Sequence, residues 1–413
     1  MAMDRRNLFT MGGGVAAAGL LGSAGAPALA QAGRTLSAAE FGIRGDGRTD
    51  DGPALQKALD AAFEQQAVLL LPPGDYRIRR TLRVEPRTHV TRQCGIIGTG
   101  ARLVSEIGDG ANVIEVISRT TFRFLLLQGL DIKGSGRDGH GILLSCDVPG
   151  GQYLYNFCLR DIVVQGCGGD GCHMIGNVFE GQMINCYFRD NGGNGATFAH
   201  SRNKGILSAI HVFASVFGQN GGHGAALLNN CYDVSFHGCY FLLNREFGVL
   251  ADNGCTLLSN CGFENNHQGA PDFANGDAGI LLKNFGTLIG CTAYSIYKQT
   301  HLIRAFVVRE LVMVGCTGHG GGRAKEAGLA RLRGAREKAH VTLVGCTGRV
   351  SEEGGLEAIE VGGDHGGLRL GADWRSRNLP QLGDYRLWVD RRGQLRIKKG
   401  RPESDDDGRP VGV

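Results

Sequence analysis

The stretch Gly192-Gly193-Asn194-Gly195-Ala196-Thr197-Phe198 decides the fold, because versions of it return along the chain. They read Asp138-Gly139-His140-Gly141-Ile142-Leu143-Leu144, Gly168-Gly169-Asp170-Gly171-Cys172-His173-Met174, and Gly221-Gly222-His223-Gly224-Ala225-Ala226-Leu227. Two looser copies centre on Gly248 and Gly279. The anchor glycines lie 24 to 31 residues apart, a spacing that fits one turn of a stacked solenoid. One and three residues after each glycine comes an apolar pair: Ile142 and Leu144, Cys172 and Met174, Ala196 and Phe198, Ala225 and Leu227, Val249 and Ala251, Ile280 and Leu282. Alternation of period two marks short strands with one buried face. Stacking those strands in parallel buries the column turn upon turn. The regular leucines of a leucine-rich repeat are absent. The expected architecture is an all-β, single-stranded right-handed parallel β-helix.

Nine residues before the glycines of the first five copies stand Ile132, Ile162, Cys186, Ser215 and Cys239. Cys186, Cys239, Cys261, Cys291, Cys316 and Cys346 share one context, Asn-Cys or Gly-Cys followed by Tyr, Gly or Thr. The chain holds an odd thirteen cysteines. We read this column as small buried hydrophobes inside the solenoid rather than a disulfide framework. Cys167 and Cys172 have no second pair at zinc-ligand spacing.

Composition agrees. There are 68 glycines against 10 prolines and no every-third-residue glycine, which excludes collagen, and the apolar content is too high for disorder. The formal charge is +4. It is too mild for a nucleic-acid partner, and no basic stripe with interleaved aromatics is present. An acidic glycan is compatible with this charge.

Arg5-Arg6-Asn7-Leu8-Phe9 followed by a Gly/Ala/Leu stretch and Ala28-Leu29-Ala30 resembles a twin-arginine export signal. It implies a periplasmic or secreted protein, and no later stretch reaches membrane-spanning length. Removing Asp4, Arg5 and Arg6 with it lowers the charge by one, to +3.

Beyond it, Phe41-Gly42-Ile43-Arg44-Gly45-Asp46-Gly47-Arg48-Thr49-Asp50-Asp51, Ala54 to Ala62 and Val68-Leu69-Leu70-Leu71-Pro72-Pro73-Gly74-Asp75-Tyr76 resemble the opening of the pectate-lyase-like β-helix superfamily. That group includes rhamnogalacturonase-like, polygalacturonase-like and epimerase-like members and phage tailspikes. Read physically, Asp50 or Asp51 caps a helix with Pro53 in its first turn. Leu55, Ala58, Leu59 and Ala62 plug the open end of the solenoid. After Val361 the pattern fades. Tyr385–Val389 and Gln394–Lys398 read as a small hairpin turning at Arg391-Arg392-Gly393, with Trp374 and Trp388 as an alternative sugar platform. The expected division is an export segment (1–30), a capped β-helix (31–360) and a strand-rich extension (361–413).

Chemistry is sought in the column just before the glycines, where His140, Asp170, Asn194 and His223 form a polar stripe on successive coils about 4.8 Å apart. The bland reading is turn chemistry, which Asp and Asn favour. Polygalacturonases carry Asn-Thr-Asp, Asp-Asp, Gly-His-Gly and Arg-Ile-Lys. Here Gly222-His223-Gly224 and Gly139-His140-Gly141 match the third element, while Asp170 keeps only one of the paired aspartates. Arg396-Ile397-Lys398 falls far from these coils and is set aside. Glycoside hydrolysis needs two carboxyl groups about 5 to 9.5 Å apart, and Glu246 sits about 14 Å from Asp170 by coil spacing. A lyase or epimerase acting on uronic acids needs a base and a charge-neutralising donor. His140, Asp170 and His223 are the catalytic candidates. Asn194, Arg202, Lys204 and Arg245 are the substrate-binding ones, arginine suiting a carboxylate. A metal ligand set is not assigned; calcium could sit near Asp170, although carboxylates are sparse there. The favoured expectation is an exported lyase or uronate-modifying enzyme acting on an acidic polysaccharide. The alternatives are a non-catalytic glycan-binding β-helix and a polygalacturonase-like hydrolase.

Overall fold

The computed structural model describes residues 34–411 apart from 148–151, 200–206, 230, 253–254, 269–277, 296–300, 308, 321–327, 335–338, 353–355, 357, 363–367, 372–380, 383 and 393. The proposed export segment, Arg202, Lys204 and Trp374 therefore lie outside the described residues.

The repeats do stack as a right-handed parallel β-helix. A 24-stranded parallel sheet and a 12-stranded parallel sheet wrap one core. A central coil gives the long sheet two strands, such as Val178–Ile184 and Tyr187–Arg189, and the second sheet one, Ala196–Ala199. Register follows the anchor glycines: Ile142 pairs with Cys172, Cys172 with Ala196, Ala196 with Ala225, and Ala225 with Val249. These inward residues are buried. The glycines themselves are required by close approach. A Cβ on Gly171, Gly195 or Gly224 would lie 2.5 to 2.6 Å from the carbonyl oxygen of the next coil's glycine, closer than any real side chain sits.

Corners between strands explain the Asn/Gly-Cys dipeptides. Asp161, Asn185, Ala214, Gly238, Asn260, Gly290, Gly315 and Gly345 form one column with φ between 46° and 61°, the left-handed region that Gly, Asn and Asp tolerate best. The next residue enters the core. There each of the six column cysteines offers its thiol to two carbonyls, one two residues back and one on the preceding coil; Cys186 Sγ lies 3.5 Å from Ile184 O and 3.4 Å from Leu159 O. Ser215 takes the same place with Oγ on Phe213 O at 2.8 Å. All twelve cysteines whose side chains are described are free, and eleven are buried. Burial pushes the Cys146 thiol up to about 11 and those of Cys94 and Cys186 to about 12. Because all eleven are buried, a thiol reagent is expected to leave them unlabelled in the native protein and to reach them on denaturation. Rapid native labelling of the column would contradict the packing.

A second interior ladder is polar. Asn191, Asn220, Asn244 and Asn266 are buried, and each Nδ2 donates to the Oδ1 of the next at 3.1, 2.9 and 2.8 Å. Beside it Phe188, Phe217, Phe241 and Phe263 stack at 5.5, 5.0 and 4.9 Å.

The cap is an α-helix, Gly52–Glu64, burying Leu55, Ala58, Leu59, Ala62 and Phe63. Asp51 occupies the N-cap position without capping through its side chain. Its carboxylate instead accepts the Arg44 and Gly45 amides at 2.8 and 2.9 Å, while Asp50 accepts Gly52 N at 3.1 Å. At the other end parallel pairing continues through Leu368–Gly371, past the point where the repeat is legible. Tyr385–Val389 and Leu395–Lys399 pair antiparallel, as expected, but within a four-stranded sheet that also uses Gln381–Leu382 and Arg409–Pro410. Trp388 is buried, with Nε1 donating to Asp405 O at 3.1 Å, so it offers no sugar platform.

Candidate functional site

The side chain just before each anchor glycine has one recurrent task. Asn112 Oδ1 accepts the His140 amide, His140 Nδ1 that of Asp170, Asp170 Oδ1 that of Asn194, Asn194 Oδ1 that of His223, and His223 Nδ1 that of Phe247. The distances run from 2.7 to 3.2 Å. Each coil thus caps the backbone of the next, which is why acceptor-bearing Asn, Asp and His recur there. The turn reading of the stripe has a concrete basis.

That ladder fixes the chemistry of its histidines. A backbone amide can only donate, so Nδ1 of neutral His140 and His223 is the unprotonated nitrogen and Nε2 carries the hydrogen. Burial makes both rings harder to protonate than an ordinary histidine; His173 beside His140 adds to this, and Asp170 partly opposes it. For His223, burial is opposed by Glu246 and reinforced by His267 and Lys283, with a weak opposing pull from Asp170. Neither ring has a free basic nitrogen, so neither suits the role of base.

His173 does. It stands two residues after Gly171, outward on the second sheet, and its Nδ1 lies 2.8 Å from Asp170 Oδ2. Burial raises the cost of ionising Asp170, but hydrogen bonds from His173, the Asn194 amide and the Thr197 hydroxyl outweigh it and hold the carboxyl below its ordinary range. An ionised carboxylate makes His173 Nδ1 the donor, leaving Nε2 with its lone pair. The His140 ring stacks on His173 at 4.5 Å, and His140 Nδ1 is 3.6 Å from Asp170 Oδ2. Thr197, itself buried, also accepts Asn194 Nδ2 at 2.9 Å. One corner therefore holds a carboxylate-oriented base beside a neutral N–H donor.

Sequence reasoning brought His140 and Asp170 together correctly and missed His173 and Thr197. The available signal was the Asp-Gly-Cys-His spacing, in which a turn running into a strand returns position i+3 to position i. His223 lies two coils away in the ladder and stacks on Phe247 at 5.8 Å. Arg245 is exposed and lines a different groove of about 720 Å³ with Asp190, Gln219 and Gln268. Arg396 pairs with Asp390 at 2.6 Å inside the terminal sheet, a structural use of the Arg-Ile-Lys triplet.

Donor atoms of His140, Asp170 and His173 lie within 4.8 Å of one another. Two nitrogens and one carboxylate suit a transition metal better than calcium, which takes six or more oxygens. The ligand atoms are committed, however: His140 Nδ1 to the Asp170 amide and His173 Nδ1 to the carboxylate. An ion at the two Nδ1 atoms would have to break both bonds; His173 Nε2 is the one imidazole nitrogen of the three residues left with a lone pair, so they do not form a complete ligand set as they stand.

The histidines also set a pH response. Because His140 and His223 are harder to protonate folded than unfolded, the unfolded chain takes up protons first. Their contribution is present above the ordinary histidine value and is lost as pH falls through it. Thermal stability is expected to fall between about pH 7.5 and 5.5, and less steeply in His223→Asn, which keeps the acceptor without titrating. An identical slope in the variant would contradict this assignment.

Three family models match parts of the chain. Residues 35–123 match rhamnogalacturonase A/epimerase, pectate lyase-like; residues 116–293 match the right-handed β-helix region; residues 355–413 match capsule depolymerase. These matches support the pectate-lyase-like superfamily. A hyperthermoactive exopolygalacturonase from Thermotoga maritima superposes with a TM-score of 0.53 at 10% identity, covering 89% of this chain and 95% of that one. The enzymatically active domain of bacteriophage CBA120 tailspike protein 2 gives 0.56 at 13%, covering 76% and 48%. ORF18 of Geobacillus virus E2 gives 0.54 at 16%, covering 88% and 68%. At such identities the likeness is one of fold. A glucan 1,3-beta-glucosidase of Cochliobolus carbonum is 36% identical over 84 residues, 20% of this chain. The chain covers 10% of the length of that relative.

Proposed function

We propose that this β-helix is an exported enzyme that cleaves or modifies an acidic polysaccharide, with His173 as base, Asp170 orienting it and His140 as the neighbouring donor. The observation that carries the reading is the 2.8 Å contact between Asp170 Oδ2 and His173 Nδ1, which leaves Nε2 with its lone pair on a ring stacked against that of His140. In β-elimination His173 Nε2 takes the proton next to the uronate carboxylate. The electron pair forms a carbon–carbon double bond as the bond to the leaving glycosidic oxygen breaks, and that oxygen takes up a proton. The His140 N–H stabilises charge on the carboxylate as it builds. The family models and folds of polysaccharide-active proteins support the substrate class. A hydrolase is less favoured, because three hydrogen-bond donors hold the Asp170 carboxyl below its ordinary range, which suits a general acid poorly.

The test is to incubate the purified protein with a panel of acidic and neutral polysaccharides while following ultraviolet absorbance of unsaturated sugars and new reducing ends. A rise in both on an acidic polymer is expected, undiminished by a chelator. New reducing ends without unsaturation would move the assignment to hydrolysis. No change in either, with sugar configuration also unaltered, would favour the non-catalytic binding protein.

A further inference from the structure

On the outer face of the long sheet, round the corner from His173, sits a cluster that nothing in the proposed chemistry uses. Arg123, Tyr155, Phe179, Ser208 and Tyr232 stand in register on five successive coils. The Arg123 guanidinium lies 5.1 Å from the Phe124 ring and 4.8 Å from that of Tyr155. Phe179 stacks on Tyr155 at 5.4 Å and meets Tyr153 edge-on at 5.4 Å. Among the described residues this guanidinium makes no hydrogen bond or ion pair, and its buried Nε has no partner.

Two features mark the cluster as more than column packing. Phe124 holds φ at 60°, as Asn156, Glu180, Ala209 and Asp233 do at 51° to 56° at the same corner of the next coils, so the turn belongs to the solenoid and what sets Phe124 apart is its exposure. Its ring and that of Tyr153 remain 37% and 41% exposed. A buried, unanswered N–H also costs free energy that a simple aromatic stack would avoid. A ligand with an anionic group beside the half-buried Arg123 guanidinium and a flat apolar face against the exposed rings fits both features.

We infer that this cluster is a second glycan site, binding a carboxylate- or sulfate-bearing sugar residue through Arg123 with Tyr153 and Phe124 against its ring. It borrows from the proposed function only the class of ligand. A second copy of the chain fits less well: a stable interface needs about 800 Å² from each partner, and the rings are bordered by polar Gln152, Asn156, Asn177 and Glu180. Placed away from the dyad, the site would hold one stretch of polymer while another reaches His173, raising its effective concentration there.

The experiment is calorimetric titration of His173→Ala protein, which leaves the ligand intact, with oligogalacturonate, oligoguluronate, a heparin fragment and maltohexaose. Binding of at least one acidic probe is expected, with maltohexaose silent. Adding Arg123→Ala or Tyr153→Ala should weaken it about tenfold or more, with unchanged melting temperature. Undiminished acidic binding in both variants would overturn the site while leaving the dyad standing; no binding of any acidic probe would overturn the site together with the acidic-polymer reading. Self-association that disappears in Arg123→Ala would overturn it in favour of an interface.

Discussion

Replacing His173 with alanine is expected to lower turnover of the acidic polymer by about a thousandfold, whereas His223→Ala should stay within a few-fold of wild type. The contrast follows from which nitrogen is free. His223 Nδ1 is taken by the Phe247 amide, and its loss costs one backbone hydrogen bond, about 1 kcal/mol. His173 Nδ1 is turned toward an ionised carboxylate, so its Nε2 can accept a proton and the developing imidazolium is stabilised by Asp170. Asp170→Asn should be nearly as damaging, since an amide can neither fix that tautomer nor answer the positive charge. His140→Asn separates the two duties of its position: the acceptor for the Asp170 amide survives, as Asn112 and Asn194 show, while the donor over the substrate is lost. A folded but weakened enzyme is expected. Equal losses in His173→Ala and His223→Ala would sink the assignment.

The largest stability effect is expected at Asn244. Its Nδ2 donates to Phe217 O and Asn266 Oδ1, and its Oδ1 accepts the Asn220 amide and Asn220 Nδ2. Leucine matches its size roughly but leaves several of these groups buried without partners. At about 1 to 3 kcal/mol for each unsatisfied group, Asn244→Leu should cost about 4 kcal/mol or more, read as a drop in denaturant midpoint. The loss cannot be relieved by local shifts, because neighbouring coils repeat the same bonds and the stack transmits register. A cost below about 1 kcal/mol would mean that water or rearrangement satisfies the ladder.

Much of the architecture was legible because solenoid packing writes itself periodically. The anchor glycines, the apolar pair after them and the cysteine column each reflect one rule repeated in every coil, so a single chain supplies its own alignment. The asparagine ladder was as periodic, yet it hid among turn residues, where asparagine has a second explanation. The site was harder to read for the opposite reason. His173 occurs once, in a column whose neighbouring places hold Leu143, Thr197 and Ala226, and its role arises only where a turn brings it back onto Asp170. His223, in contrast, matched a familiar triplet because the ladder needs an acceptor there. The matching triplet thus marked a backbone cap, and the unmatched histidine marks the better base.

The proposed dyad depends on which nitrogen of each ring carries the hydrogen, and long-range proton–nitrogen NMR spectra of the histidine side chains at neutral pH read this directly. With signals assigned through His140→Asn and His173→Gln, His173 is predicted to carry its hydrogen on Nδ1, and His140 on Nε2. A His173 ring protonated on Nε2, or a shared tautomer for the two rings, would contradict the dyad.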